Sequence, residues 1–263
     1  MNYFFMPLVE GLVSSITLAN FSCVPKEYPW SQEQFVYVMW SDRSFWQVRK
    51  LDSIPYGKAM VYTQNELPID FPEGTTPIFF LYPKDIPLVL DRLIVSDIMK
   101  TEPNWRANIG FRSSMTSVSF QGEYPGAMTL IEKGTLFSFG SLAQIKTGLV
   151  TKFIFSNLRA KPGSSDPCKI RFAQMRKQKV LMETTVYHNK CSVIDLSGLA
   201  CGEEDPICAF SDEITGIPLY LTHDKEYKNM SLEHTHPPME ILVFGGRLIS
   251  QNYMKSWWLK KVR

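Results

Sequence analysis

The spacing of turn-forming residues constrains this chain more than any other feature. From residue 104 onward, Gly, Pro, Asn, Asp and Ser recur about every 8–12 positions, with alternating apolar and polar residues between them. Val180, Met182, Thr184 and Val186 show the cleanest alternation. A period of two is typical of a strand with one buried face, so the pattern predicts antiparallel β structure. The expected strands cover residues 106–111, 117–121, 128–132, 136–139, 152–157, 169–175, 180–187, 192–196, 218–222 and 240–244.

The first hundred residues predict mixed structure. Residues 34–48 suggest two strands around a hairpin turn at 41–44, and the apolar run 78–82 suggests a short buried strand. After Asp85, a possible N-cap, apolar residues follow a helical spacing and predict one amphipathic helix. Those residues are Ile86, Leu90, Leu93, Ile94 and Ile98. Residues 160–168, rich in Pro, Gly and Ser, predict an exposed loop.

These elements define the expected fold class and domain organisation. We expect a mainly β fold of the α+β class, in which residues 104–263 form an antiparallel β-sandwich or jelly-roll-like body. Residues 1–103 form a mixed segment that contains the amphipathic helix. Because no linker-like run separates the two parts, one continuous domain also fits. A chain of 263 residues can bury enough surface to need neither disulfides nor a structural metal.

Cysteine usage and the N-terminal sequence bear on location. The five cysteines are an odd number, so at least one stays a free thiol or pairs between chains. A reducing compartment is the simpler interpretation. The apolar run at residues 8–21 has no Lys or Arg before it, and Glu10 interrupts it. A secretory signal would have a basic start and an unbroken apolar centre. We therefore expect Val13, Ile16 and Leu18 to face a core, and the protein to be soluble and cytoplasmic.

One histidine-rich segment could carry metal chemistry. His234, His236 and Glu240 share one parity and would project from one face of an extended strand. Two imidazoles and a carboxylate can bind a divalent ion and leave positions open for substrate. The segment resembles the first half of the metal-binding motif of cupins: His-x-His, a short spacer, Glu, then an apolar strand and glycine. That resemblance implies iron, manganese or zinc in an oxygenase- or isomerase-type enzyme. No histidine follows His236 to supply the second half of the motif.

The same histidines also fit simpler roles. Pro237 and Pro238 could stiffen a loop in which one imidazole bonds to backbone and the other faces water. A proton-linked switch is a further alternative. His188 and His223 lie next to predicted strand ends, where we expect each to be structural.

The C-terminal segment is a candidate contact surface. The chain has 28 basic and 26 acidic side chains, and the last nine residues hold four of the basic ones, so the rest carries a net charge of −2. Two tryptophans accompany them. A protein partner or self-association fits best, and a nucleic acid or anionic membrane surface is less favoured. The tryptophans could instead dock on the core. The residues predicted to bind are Lys255, Trp257, Trp258, Lys260 and Lys261.

The sequence lacks the common catalytic and nucleotide-binding motifs, which argues against nucleotide-driven and α/β-hydrolase chemistry. The chain has no Gly-rich phosphate loop, no nucleophile elbow and no zinc-protease helix. Residues 104–108 and 121–126 hold enough polar and planar side chains to form a pocket rim, and aromatic residues could contact a glycan. We therefore predict a non-catalytic binding or assembly protein that acts through a protein or glycan contact surface, with no cofactor. The alternative is the cupin-like metal-dependent enzyme.

Overall fold

A computed structural model describes residues 1–20, 33–42, 44–94, 106–130, 136–139, 148–163, 166–174, 176–199, 207–234 and 260. These residues form eighteen strands and a short 3-10 helix, Gly126–Leu130, so the mainly antiparallel β fold is confirmed. The strands are β1 Asn2–Phe5, β2 Val13–Ala19, β3 Gln34–Ser41, β4 Trp46–Ile54, β5 Ala59–Thr63, β6 Ile78–Tyr82, β7 Val89–Leu90, β8 Ala107–Arg112, β9 Ser117–Gly122, β10 Tyr124–Pro125, β11 Leu136–Phe139, β12 Val150–Asn157, β13 Cys168–Gln174, β14 Lys179–Val186, β15 Lys190–Asp195, β16 Ile207–Phe210, β17 Ile217–His223 and β18 Met230–His234.

The chain divides into two compact units that are discontinuous in sequence. The first consists of Met1–Leu130, Leu158–Ser165 and Asn189–Cys191. The second consists of Ile131–Asn157, Asp166–His188 and Ser192–Arg263. The expected division into residues 1–103 and 104–263, with one continuous domain as its alternative, stays a prediction.

A six-stranded antiparallel sheet forms one part of the first unit, in the order β10-β1-β6-β3-β4-β7. The predicted hairpin is present: β3 pairs with β4, and the Asp42 carboxylate accepts hydrogen bonds from the amides of Ser44 and Phe45 at 3.1 and 2.9 Å. This side-chain acceptor is what makes Asp suitable for the turn. The predicted strand at 78–82 is also confirmed and is buried at its first four positions.

The second sheet of the first unit has four strands in the order β5-β2-β8-β9. Side chains of β2 alternate strictly, so Ile16 and Leu18 are fully buried as predicted. Val13 has the opposite parity and lies on the outer face, half-buried, so its predicted core position is wrong. The period-two rule decides this, because residues 13 and 16 cannot face the same side of a regular strand.

The predicted amphipathic helix is not found in the residues that are described. Val89 and Leu90 form an edge strand that pairs with Gln47 and Trp46, and the amide of Val48 donates to the Leu88 carbonyl at 2.8 Å. Leu88 and Val89 are exposed rather than packed on a core. Pairing with an available sheet edge outweighs the apolar spacing in this segment. Ile98 lies outside the described residues.

The strands of the second unit form two four-stranded antiparallel sheets, in the orders β11-β16-β13-β14 and β15-β12-β17-β18. The first two residues of β15 are assigned to the first unit. One hydrophobic cluster takes residues from both sheets, including Phe153 of β12, Phe172 of β13 and Tyr220 of β17. Phe153 packs edge-to-face on Phe172 with ring centroids 5.1 Å apart. The unit therefore has a shared aromatic core.

Two further local predictions are corrected. The strand expected at 128–132 begins instead as the 3-10 helix, where the Thr129 hydroxyl donates to the Gly126 carbonyl at 2.6 Å and closes a local turn. The loop expected to be exposed at 160–168 is exposed at Lys161, Asp166 and Pro167 but anchored at its start. Ala160 is buried, and its carbonyl accepts from the Trp46 indole at 3.2 Å and the Leu93 amide at 2.8 Å. The strand expected at 240–244 lies outside the described residues.

Among the residues that the structure describes, no helix has the length and apolar character that a membrane span requires.

Candidate functional site: a polar trough on the first unit

A concave cavity of about 300 Å³ lies on the outer face of the β5-β2-β8-β9 sheet. We call it the polar trough. Strand pairing places its side chains in rows that run across the strands. The residues that line it are Val13, Ser15, Thr17, Val61, Thr63, Asn108, Gly110, Phe111, Arg112, Ser117, Val118 and Ser119.

The central row of the trough consists of small residues. Ser15 pairs with Thr63 on one side and with Gly110 on the other, and Gly110 pairs with Ser119. Short side chains leave the sheet backbone close to the surface, which makes the row a floor. It presents three hydroxyl groups: those of Ser15 and Ser119 can donate and accept a hydrogen bond, whereas the Thr63 hydroxyl already donates to Glu66 Oε2 at 2.7 Å.

The rows on either side of the floor are larger and more polar. One contains Thr17 between Val61 and Asn108, and the other contains Arg112 between Val13 and Ser117. These side chains form walls that offer an amide, two hydroxyls and a guanidinium. Val61 is 61% exposed and supplies an apolar edge.

Glycine at position 110 keeps the trough open. A Cβ atom at this position would lie 2.8 Å from the Ser15 hydroxyl oxygen, which is closer than Cβ contacts in real structures. Any larger residue would therefore displace Ser15 and fill the floor. Gly in a strand interior weakens the strand, and it often marks a place where a ligand or another backbone approaches closely. At position 110 the glycine leaves space above the sheet.

The charge of the trough comes from Arg112. Within the described part of the chain, no carboxylate forms an ion pair with this guanidinium. By contrast, Arg106, the residue directly before β8, lies 2.9 Å from the Glu123 carboxylate and also donates to Gln121 at 3.4 Å. The trough thus presents a positive group that no described acidic side chain neutralises. Guanidinium groups bind carboxylates and sulfates through paired hydrogen bonds.

The residues predicted as metal ligands are not assembled in the described structure. His234 is the last residue of β18, where it is half-buried and pairs with Leu219. His236 and Glu240 lie outside the described residues. Among the residues that are described, no group of three His, Cys, Asp or Glu side chains could hold a metal ion. The cupin-like site stays a prediction.

The C-terminal contact residues are almost entirely outside the described part of the chain. Lys260 is described and exposed. Lys255, Trp257, Trp258 and Lys261 are not described, so their role in binding also stays a prediction.

The two remaining histidines are both buried. His223 ends β17, stacks on the Tyr227 ring at a centroid distance of 4.0 Å, and donates from Nδ1 to the Asp224 carbonyl at 2.7 Å. Burial lowers the pKa of His223, an effect that the Asp224 carbonyl partly opposes. Its Nε2 has no hydrogen-bond partner among the described residues. His223 is therefore held neutral. His188 belongs to a separate cluster, described below.

The trough residues were not identified as a site from sequence. Asn108 belongs to a segment that could be expected to form a pocket rim, and it does line the trough. The other signal was the run of hydroxyl residues at alternate positions, Ser15 and Thr17 on β2 and Ser117 and Ser119 on β9. Hydroxyl residues are common on the solvent-facing side of a strand, so their presence alone does not indicate a site. The sheet register shows that these residues lie side by side across the strands.

Comparisons of this chain with protein-family models, with curated proteins and with solved structures give no match. The function must therefore be inferred from the geometry described above.

Proposed function

We propose that this is a binding protein whose polar trough holds a small acidic saccharide, with no chemical step at that site. The observation that carries the proposal is the trough itself: hydroxyl and amide groups around a glycine floor, with Arg112 at one side. A volume near 300 Å³ falls at the lower end of the range for small-ligand sites.

The chemistry of the walls suits a polyhydroxylated ligand. Sugar hydroxyls both donate and accept hydrogen bonds, and so do Ser15, Thr17 and Ser119. The Asn108 amide offers a donor and an acceptor that could meet two neighbouring hydroxyls on one ring. Arg112 would bind a carboxylate or sulfate on the ligand, and Val61 could contact a C–H face of the ring.

A protein partner suits this surface less well. Protein interfaces depend on large anchors such as Trp, Tyr, Met or Arg in a desolvated centre. Among the described residues that line the trough, Phe111 is the one aromatic residue, and its side chain is buried in the opposite direction. These described lining residues include neither the paired carboxylates nor the cysteine–histidine pair that hydrolysis would require.

The fold of the second unit is a separate part of the proposal. We take it to be an antiparallel β-sandwich, because one aromatic cluster is shared by both of its sheets. We also propose a cytoplasmic location, which the odd number of cysteines supports.

Binding of galacturonic acid and digalacturonic acid to the full chain tests the function, with galactose and its dimer as neutral counterparts. We expect isothermal titration calorimetry to show tighter binding of the acidic sugars, by about 10- to 100-fold, since a charged hydrogen bond contributes about 1.5–3 kcal/mol. Arg112→Gln should remove that preference. Arg92→Gln, which changes an exposed arginine of the same unit, is the matched control and should have no effect.

A steric variant tests the site independently of charge. Ser119 is exposed and pairs with Gly110 of the floor. The larger side chain of Ser119→Leu should block the binding of both acidic and neutral sugars. Ser114→Leu, at an exposed position of the β8–β9 turn, is its control. If none of the sugars binds, or if both leucine variants bind like the parent protein, the trough is not a saccharide site.

A further inference from the structure

Three polar side chains meet at strand ends in the second unit. Asn157 is the last residue of β12, Cys168 is the first residue of β13, and His188 follows β14 by two positions. Cys168 Sγ lies 3.2 Å from His188 Nε2, and His188 Nδ1 lies 2.7 Å from Asn157 Oδ1. Hydrogen bonds thus link the thiol to the imidazole and the imidazole to the amide, although the three residues are far apart in the chain.

The hydrogen bonds fix the direction of this chain. Asn157 Nδ2 donates to the Thr215 carbonyl, which can only accept, so Asn157 Oδ1 faces the imidazole. An amide oxygen also only accepts, and therefore His188 Nδ1 carries the proton. His188 Nε2 then presents its lone pair to the Cys168 thiol. The imidazole is held in the one tautomer that can take a proton from sulfur.

We propose that Cys168 is a nucleophilic thiol that accepts an acyl group from an activated ester or thioester. His188 Nε2 takes the thiol proton as Sγ attacks the acyl carbon. The new carbon–sulfur bond forms, the bond from the acyl carbon to the leaving group breaks, and His188 returns the proton to the leaving oxygen or sulfur. Asn157 is a positioning residue, because it sets the tautomer and orientation of the imidazole without touching the reacting atoms.

The surroundings of Cys168 favour a small apolar acyl group. Cys168 is 5% exposed, follows the exposed residues Asp166 and Pro167, and precedes the exposed Lys169, so it lies at the rim of its sheet. On its inner side it belongs to the hydrophobic cluster of the second unit, beside Ile170. A short hydrocarbon acyl chain could contact that apolar side while its carbonyl reaches the thiol from the rim.

Two other described cysteines provide internal standards. Cys191 is more exposed than Cys168, and Cys208 is fully buried. If exposure alone determined reactivity, Cys191 would react before Cys168. If the imidazole activates the thiol, the order is reversed.

The experiment treats the native full chain with p-nitrophenyl acetate and follows nitrophenolate release together with peptide mass mapping. We expect acetylation of Cys168 at least tenfold faster than that of Cys191, with about one equivalent of nitrophenolate in the first phase. His188→Gln should slow acetylation of Cys168 by about 100-fold or more, in line with the loss of a general base. Asn157→Ala should also slow it, and Asn157→Asp, which keeps the acceptor for Nδ1, should restore part of the rate.

The wild-type labelling order alone can overturn the proposal, so the test does not depend on the variants folding. Faster acetylation of Cys191, or acetylation of Cys168 only after unfolding in guanidinium, would show a structural hydrogen-bond network. The same conclusion follows if folded His188→Gln acetylates Cys168 at the parent rate.

Discussion

Among the glycines that the structure describes, Gly216 is the one where an added Cβ would meet the closest atoms. It directly precedes β17, and a Cβ there would overlap the Phe155 ring and the Ser156 carbonyl oxygen, with Phe155 Cε2 only 2.7 Å away. Ser156 cannot move aside easily, because it is paired with Ile217 in the β12–β17 ladder. The Phe155 ring would have to shift by roughly 0.5–1 Å inside a close-packed core.

We expect Gly216→Ala to lower the free energy of unfolding by about 3 kcal/mol, the upper part of the range for overpacking. For a chain of this size that corresponds to a fall in Tm of roughly 6–12 °C. Urea unfolding followed by circular dichroism and tryptophan fluorescence measures the change directly through the transition midpoint.

Gly198→Ala is the matched control in the same unit. An added Cβ at Gly198 meets no atom within 4 Å, so its effect should stay within about 0.5 kcal/mol. If the two variants unfold at the same urea concentration, the close approach of Gly216 to Phe155 and Ser156 is not a feature of the folded protein.

Two further predictions concern the β17–β18 turn. Because burial lowers the pKa of His223 despite nearby Asp195 and Asp224, the unfolded chain binds more protons, and stability should fall as pH drops below about 6.5. His223→Gln should flatten that part of a stability-against-pH curve, and an unchanged slope would contradict a buried neutral imidazole. Asp224 accepts hydrogen bonds from the amides of Lys228 at 2.9 Å and Asn229 at 3.0 Å, so Asp224→Ala should speed hydrogen exchange at both amides. Asp212→Ala, which changes a surface ion pair instead, should leave both rates unaltered.

Strands could be predicted from the sequence where one face is buried and the other is not. The expected strand at residues 117–121 matches β9, and the one at 180–187 matches β14, each to within one residue at either end. The amphipathic spacing after Asp85 misled because a short apolar segment can satisfy a helix pattern and a sheet edge equally well. In the structure, Val89 and Leu90 pair with Gln47 and Trp46 at the edge of the sheet.

The candidate site could not be predicted because it depends on register. Ser15, Gly110 and Ser119 are far apart in sequence and become neighbours only through the pairing of β2 with β8 and of β8 with β9. A shift of one residue in either pairing would send these side chains to the opposite face. The alternation of apolar and polar residues indicates which face of a strand each side chain takes, but it does not indicate which residue of a distant strand lies opposite.

The discontinuous composition of the first unit has a consequence for its synthesis. The Trp46 indole and the Leu93 amide share the Ala160 carbonyl, Tyr124 donates to the Leu158 carbonyl at 3.3 Å, and the Cys191 amide donates to Thr76 at 3.0 Å. When the ribosome has released only the first 130 residues, these buried donors and acceptors lack their partners. The unit can reach its native hydrogen bonding only after residue 191 has emerged, several seconds later at about 5–20 residues per second. During that interval every strand of the unit's two sheets has already been made, so what the nascent chain lacks is the set of hydrogen bonds that residues 158–165 and 189–191 supply.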